Sequence, residues 1–367
     1  MLPKPLVFKS RSLKGENSPL LKHQSAIIFT PTHRLNGVNV KLTDVAREAG
    51  VGYGTASRAI SGRGSVDAGT RDKVLAAAEK LGYRTNAMAR ALRENKTRTV
   101  GLIVPDIINE FYTESAAVLQ NELDKSGYQL VVSTIGNDAE KERRAIESML
   151  NRQVDAVVHV PVNPQAKFPK GFKVVELNRR SDLNRPTVTS DDATGLKELA
   201  LHILDQGYRD IGIIVGPAEL STARDRKAGF INALETEATQ RGIREELRFR
   251  VVHSRYSPTG GYEAFAKFRN DLLQIVVPLS TQLTLGVLKA TQENGIKIPD
   301  DLALACCSVA EWLAVWGPGI TVFAPDLPAM GAAAATQVLT LLDAAPLPEN
   351  HLSIPGQLIV RGTTPKV

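Results

Sequence analysis

The chain has 367 residues, 43% of them hydrophobic and 23% charged, which excludes a disordered or fibrous polymer and leaves room for two or three domains. No apolar run approaches the ~20 residues of a membrane span, and no export signal is expected. The net charge of +6 is unevenly placed: residues 1–98 hold 18 Lys and Arg against 7 Asp and Glu, whereas residues 99–367 hold 27 against 32. A basic head on a weakly acidic body suits a polyanionic partner. A merely solvated basic surface fits the same numbers.

Residues 1–38 read as a flexible basic tail, or as an over-long start to a pattern that begins near Val40. Three short helices fit residues 43–82. Thr43 is the expected N-cap of the first, with Asp44 in its first turn favouring the helix dipole. Leu42, Val45, Ala46 and Ala49 form its apolar face, Gly50 ends it and Val51 turns inward. The second helix spans Tyr53 to Ile60 with Ala56, Ala59 and Ile60 facing in, followed by a loop of Ser61, Gly62, Arg63 and Gly64. The third runs from about Ala68 to Leu81, presents Val74, Leu75, Ala78 and Leu81 to the core, and stops at Gly82. Two short helices around a glycine turn, with small Ala46 at their crossing, make a helix-turn-helix. Tyr53, Thr55, Ser57 and Arg58 give the second helix a polar outer face, with donors and acceptors for base edges and phosphates. A generic helical hairpin with a polar surface is the plainer alternative. Residues 83–96 are short, basic and weakly amphipathic, a linker able to become helical on binding.

From Thr99 the pattern changes to alternating strands and helices. Strands fit 99–104, 128–134, 154–160, 173–177, 211–215, 274–278 and 302–306, with helices at 113–126, 138–152, 192–206 and 222–240. Such alternation predicts parallel sheets covered by helices, and about 270 residues suffice for two lobes. Ligands in such folds bind at the carboxyl ends of the strands. Cys306 and Cys307, the only cysteines, are adjacent in the apolar run LALACC. They read as small core residues, with neither a disulfide framework nor a metal site expected, and the usage fits a cytoplasmic protein. No phosphate loop, metal-spaced His/Cys cluster or GxSxG elbow is found, so neither an enzyme nor a cofactor is expected. A solute-binding protein for transport would carry an export signal and no head.

The runs VAREAGV, TASRAISG and TRDKVLAAAEKLGYR closely resemble the head of the lactose-repressor and galactose-repressor (LacI/GalR) family of bacterial transcription regulators. The body is similar in VGLIVPDIINEFY, STARDRKAGFINAL and ENGIKIPDDLAL, so the likeness covers roughly residues 38–365. The resemblance implies an all-α helix-turn-helix head on an α/β body of two doubly wound parallel-sheet lobes of periplasmic-binding-protein type. It implies a sequence-specific regulator, a repressor by family habit, that binds a palindromic double-stranded DNA operator as a homodimer. A tetramer is not excluded, although no leucine heptad appears at the C-terminus. By position, Tyr53, Gly54 and Arg58 match the family's base-reading places. Lys41, Thr43, Thr55, Ser57, Ser65, Thr70 and Asn86 match its phosphate contacts. The run NAMARAL, with Ala89 and Leu92, resembles the hinge helix, Leu92 falling at the place that wedges into the minor groove. A leucine buried between head and body is the alternative for Leu92. Gly52 and Gly54 depart from the pattern, and Gly54 has no group to read a base.

The implied organisation is a tail (1–38), a helix-turn-helix domain (39–84), a hinge (85–98) and a two-lobed effector and dimerisation body (99–367). Lobe 1 is expected at about 99–190 and 306–323, and lobe 2 at about 191–305 and 324–367. A small-molecule effector between the lobes would meet Asn109, Phe111, Tyr112, Arg179, Asp191, Arg226 and Thr281. For Arg226 a surface salt bridge, and for Phe111 and Tyr112 ordinary core, are the plainer readings. The second lobe departs from the family: Ser280-Thr281 replaces Asn-Asp, and Cys306-Cys307-Ser308-Val309 replaces Gly-Phe/Tyr-Asp-Asp. The carboxylates that would accept from sugar hydroxyls are missing, so a standard neutral sugar is disfavoured. An effector that is less polar or anionic, or a degenerate pocket in a regulator that is constitutive or controlled by a protein partner, stays open.

Overall fold

A computed structural model describes residues 40–62, 64–83, 96–181, 183–268, 271–308 and 310–367. The chain divides into two compact units, Met1–Thr85 and Asn86–Val367. Neither the expected tail nor most of the expected hinge lies within the described residues.

The first unit contains α1 (Leu42–Glu48), α2 (Tyr53–Ser61) and α3 (Ala68–Leu81) around a small core of Val45, Ala46, Ala56, Ala59, Val74 and Ala77. The residues between α1 and α2 form the expected tight turn. Gly50 sits at φ 67° and the Val51 amide donates to the Ala46 carbonyl at 2.9 Å. Two expectations need correction. Thr43 is not the N-cap: the cap lies two residues earlier, at Lys41, whose amide donates to the Asp44 carboxylate at 2.9 Å. Leu75 does not face the core. It is 47% exposed, while Val74, Ala77, Ala78 and Leu81 make the inward stripe at the i, i+3, i+4, i+7 spacing of a helix.

The second unit contains two six-stranded sheets. Lobe 1 has the order β11-β5-β4-β3-β1-β2 and lobe 2 the order β12-β10-β9-β8-β6-β7. The strands are β1 (Thr99–Val104), β2 (Gln129–Thr134), β3 (Ala156–His159), β4 (Val174–Leu177), β5 (Thr187–Ser190), β6 (Asp210–Val215), β7 (Arg248–His253), β8 (Ile275–Pro278), β9 (Ala303–Cys307), β10 (Thr321–Pro325), β11 (His351–Ile354) and β12 (Gly356–Ile359). Every pairing is parallel except that of β12 with β10.

Helices cover both faces of each sheet. In lobe 1, α4 (Glu110–Lys125) and α11 (Leu327–Leu342) pack on Val100, Leu102 and Val104 of β1, while α5 (Ala139–Asn151) packs on Ile103. This is the period-two alternation of a strand buried on both sides. In lobe 2, α6 (Asp192–Asp205) and α7 (Ser221–Gln240) cover one face, and α8 (Pro258–Ala266) and α9 (Thr281–Glu293) the other, with the one-turn α10 (Trp312–Val315) nearby. No helix among the described residues is long and apolar enough to cross a membrane.

The lobe boundaries expected from sequence are corrected. The chain crosses after Ser190 as expected, but β9 and β10 stay in lobe 2. It then crosses after Pro325, where Asp326 caps α11 by accepting from the Ala329 amide at 2.9 Å. The chain returns through α11 and β11 to lobe 1, β11 pairing with β5, and crosses back after Ile354 to finish as β12. Residues 306–323 therefore belong to lobe 2, and 327–354 to lobe 1. The strands β10, β11 and β12 have only five, four and four residues, too short to show a period in sequence.

Candidate functional site

In the head, α2 is anchored by Ala56 and Ala59, which are 0% and 3% exposed. Its opposite face is open: Tyr53 is 57% exposed, and Gly54 and Arg58 are also exposed, with Ser57 half-buried beside them. Thr55 is half-buried, and its hydroxyl accepts from Arg58 Nη2 at 3.4 Å. The helix opens on Gly52, which offers no side-chain cap, so the first N–H groups turn to the Gly52 carbonyl, 3.0 Å from the amides of both Thr55 and Ala56. A Cβ on Gly54 would meet Arg58 Nη1 at 3.6 Å, an ordinary contact, so its absence is not forced by crowding.

Lys41, Thr43 and Ser65 are exposed on the same unit. Thr70 is engaged otherwise: its amide and hydroxyl both donate to Asp67 Oδ2, at 2.9 and 3.0 Å, capping α3. Those two bonds hold the Asp67 carboxyl below its ordinary pKa. Asn86, Ala89 and Leu92 lie outside the described residues.

In the body, a cleft of about 390 Å³ opens at the carboxyl ends of the strands of both lobes. Lobe 1 contributes the segment after β1, Pro105 to Asn109, then Phe111 and Tyr112 on α4, Asn137 after β2, and Asn178 and Arg179 after β4. Lobe 2 contributes Thr222 and Arg226 on α7, Tyr256 after β7, Ser280 and Thr281 at the start of α9, and Cys307 and Ser308 at the end of β9. The N-terminal ends of α4, α7 and α9 thus border one space, where helix dipoles favour negative charge.

Arg226 is 7% exposed. Its Nε donates to Asp192 Oδ2 at 2.8 Å and its Nη1 to the Leu279 carbonyl at 2.9 Å. Burial opposes its charge, but the groups around it, Asp192 foremost, together leave the guanidinium above its ordinary pKa. Thr281 Oγ1 and Ser308 Oγ are 2.6 Å apart and satisfy each other. Burial pushes the thiols of Cys306 and Cys307 up to about 12, so both stay neutral. Burial likewise raises Tyr256, which stays a phenol and a donor. The lobes are also tied beside the cleft, where the Arg180 amide donates to Ser221 Oγ at 2.8 Å and Arg180 Nη2 reaches Asp225 Oδ2 at 2.6 Å.

Residues 41–86 match the model of "Bacterial regulatory proteins, lacI family", and residues 200–364 match a periplasmic binding protein-like domain. Catabolite control protein A of Staphylococcus aureus is 27% identical over 336 residues, covering 89% of this chain and all of that protein. The HTH-type transcriptional regulator pepR1 of Lactobacillus delbrueckii is 27% identical, covering 90% and 99%. The chain carries a DNA-binding domain of the lacI family of bacterial regulatory proteins ahead of a periplasmic-binding-protein-like domain. Among solved structures, a LacI-family repressor of Corynebacterium glutamicum aligns with TM-score 0.64 at 29% identity, over 73% of this chain and 99% of that one. The lac repressor bound to ONPG aligns with TM-score 0.77 over 89% and 100%, a likeness of fold at 22% identity.

With that head domain and those relatives, the chain is a DNA-binding transcription regulator. Of the effector residues expected from that resemblance, Asn109, Phe111, Tyr112, Arg179, Arg226 and Thr281 come together around the cleft. Asp191 does not: it caps α6 by accepting from the Thr194 amide at 3.2 Å, and its neighbour Asp192 is the one that pairs with Arg226. Asn109 also caps a helix, α4, while lining the cleft. Phe111 and Tyr112 meet edge to face at 5.2 Å and belong to the lobe 1 core as well as to the wall.

Sequence reasoning missed Asn178, Thr222 and Tyr256, and placed Ser308 at the pocket only as a departure from the family pattern. Asn178 precedes Arg179 after a strand and adopts φ 64°, a conformation asparagine tolerates better than most residues. That position at a strand's carboxyl end was the available signal. Nothing local marks Tyr256, whose ring is drawn to the cleft because Gly216 leaves room: a Cβ there would sit 2.1 Å from Tyr256 Cζ.

Proposed function

We propose that this regulator binds a palindromic operator as a homodimer, placing α2 of each head in a major groove, and acts as a repressor in the cytoplasm. A small molecule in the interlobe cleft would set its operator affinity. The observation that carries the DNA reading is the face of α2. Tyr53, Gly54, Ser57 and Arg58 project from a helix whose other side is fixed by Ala56 and Ala59, in the basic quarter of the chain. Tyr53 and Arg58 suit base edges, Gly54 brings only backbone close to its base pair, and Lys41, Thr43, Thr55, Ser57 and Ser65 suit phosphates. Thr70 would reach a phosphate only by sharing its hydroxyl with Asp67, so its contribution is the smaller. Asn86, Ala89 and Leu92 keep their proposed hinge and wedge roles by family position.

The effector would act by differential affinity, favouring one arrangement of the lobes and so biasing the DNA-competent state. A second reading is favoured by one observation. The hydroxyls of Thr281 and Ser308 close on each other where carboxylates would have faced a sugar. A regulator that answers to a protein partner, or to none, would tolerate that closure. No catalytic step is proposed for either reading.

Salt tests the DNA contact. A dimer with several phosphate contacts per head should lose about 10³-fold or more operator affinity between 50 and 200 mM salt. A flat response, measured by fluorescence anisotropy on labelled duplex, removes the polyanion contact and the function built on it.

A further inference from the structure

The cleft is lined by two arginines in unlike states. Arg226 is compensated: Asp192 and the Leu279 carbonyl occupy two of its nitrogens. Arg179 is 3% exposed and has no carboxylate within reach among the described residues. Its Nη1 has only two distant acceptors, Asn137 Oδ1 at 3.4 Å and the Pro161 carbonyl at 3.5 Å, and its Nε has none. The Tyr256 ring of the opposite lobe lies 5.6 Å from the guanidinium carbon, a cation–π contact. A buried guanidinium this poorly matched is costly unless a negative group joins it.

The rest of the cleft agrees. Asp106 is its only carboxylate among the described lining residues, and Asp106 Oδ1 already accepts from the Ile108 amide at 2.8 Å. Three helix N-termini border the space, and hydroxyl and phenol donors replace the acceptors a neutral polyol needs. Asn178 Oδ1 is buried beside Arg179 without a partner, leaving one acceptor for a ligand hydroxyl.

We infer that the effector is a small hydroxylated anion whose carboxylate or phosphate is gripped by Arg179. The inference rests on the effector reading above and names the ligand class of the same cleft. It also supplies a coupling. Arg179 stands in lobe 1 and touches Tyr256 of lobe 2, and its neighbour Arg180 holds Ser221 and Asp225 of lobe 2. An oxyanion on Arg179 therefore acts where the two lobes meet.

The test uses the full chain in thermal melts and titration calorimetry with three matched probes: glucose, gluconate and glucose 6-phosphate. Sodium chloride at equal ionic strength is the control. Gluconate or glucose 6-phosphate is expected to stabilise the protein beyond the chloride control and to bind more tightly than glucose, and which of the two does so separates carboxylate from phosphate. Arg179→Gln should weaken that binding about 10- to 100-fold, the worth of a charged hydrogen-bonded contact. Arg179→Lys keeps the charge but not the planar fork, so it should fall between. It also serves if the Gln variant melts early without ligand.

The inference is overturned if neither anion acts beyond chloride, if glucose binds as well as the anions, or if both Arg179 variants bind the anion as the parent does. Binding of glucose alone would sink the anion inference yet leave the effector reading standing. The effector reading itself falls if no ligand in a broad panel, neutral or anionic, changes operator affinity.

Discussion

Replacing Arg226 by methionine should be among the most damaging single changes in lobe 2, and the reason can be worked from its neighbours. The side chains of Arg226 and Asp192 are 8% and 7% exposed, and they meet at 2.8 Å. Methionine approximates the length of the arginine stem but leaves the Asp192 carboxylate buried without a counter-charge and the Leu279 carbonyl without its donor. Asp192 Oδ1 has no partner even in the parent, so nothing waits to take over. Removing one member of a buried pair costs about 3–5 kcal/mol. For a unit of this size that converts to a fall in melting temperature of roughly 6–20 °C.

The only two tryptophans, Trp312 and Trp316, pack against the lobe 2 core, so their fluorescence reports on that lobe during urea unfolding. Adding Asp192→Asn should recover part of the loss, because the stranded charge goes with it, and the double-mutant cycle should give a coupling above about 1 kcal/mol. If Arg226→Met moves the midpoint by less than about 1 kcal/mol, or the two changes simply add, the buried pair is not what holds α6, α7 and the end of β8 together. In that case Arg226 would be free to serve a ligand.

Other outcomes follow from single positions. Gly54→Ala should stabilise the head by up to roughly 1 kcal/mol, since the position is helical and the new methyl meets only Arg58 Nη1 at 3.6 Å. Slower amide exchange across α1–α3 would register it, and unchanged exchange would refute it. The base pair facing Gly54 should show weak preference in an operator-variant scan; a sharp preference there, lost only on changing Gly54, contradicts the reading. His202 is buried, and burial lowers its pKa below the ordinary 6.5 despite Asp205 nearby, with its Nε2 2.8 Å from Thr364 Oγ1. The fold therefore holds the imidazole neutral. Its contribution is fully present above about pH 6.5 and is lost as pH falls through the lower folded-state value. His202→Phe should flatten that acid limb in urea midpoints measured between pH 4 and 7, and an unchanged limb would show the titration lies elsewhere.

The sequence displayed the head well because its signals are local. Gly50 and Gly82 end helices at positive φ, and α3 spans Ala68–Leu81 as its spacing predicts. Leu75 misled because its residue type outweighed its place one step off the stripe. In the body, long strands buried on both faces, such as β1 and β6, are visible as apolar runs. The strands β10 to β12 are short, and β11 and β12 lie at sheet edges with no fully buried residue, so the returns between lobes were misplaced. The cleft was half legible. Arg179 and Arg226 were found by position, but adjacent acids in Asp191-Asp192 cannot be told apart without geometry: one caps a helix and the other meets an arginine 34 residues away. The unequal compensation of the two arginines is likewise a tertiary property, set by Leu279, Asn137, Pro161 and Tyr256.

The central claim is that α2 reads DNA sequence. Selection of bound duplexes from a random pool by the full chain, followed by footprinting on the winner, tests it most directly. The account predicts protection of two half-sites related by two-fold symmetry. Tyr53→Ala or Arg58→Ala should then cost about 1–3 kcal/mol on the selected site while leaving non-specific binding nearly unchanged. Failure of the pool to converge on any sequence, or a selected site bound equally well by both variants, would contradict it.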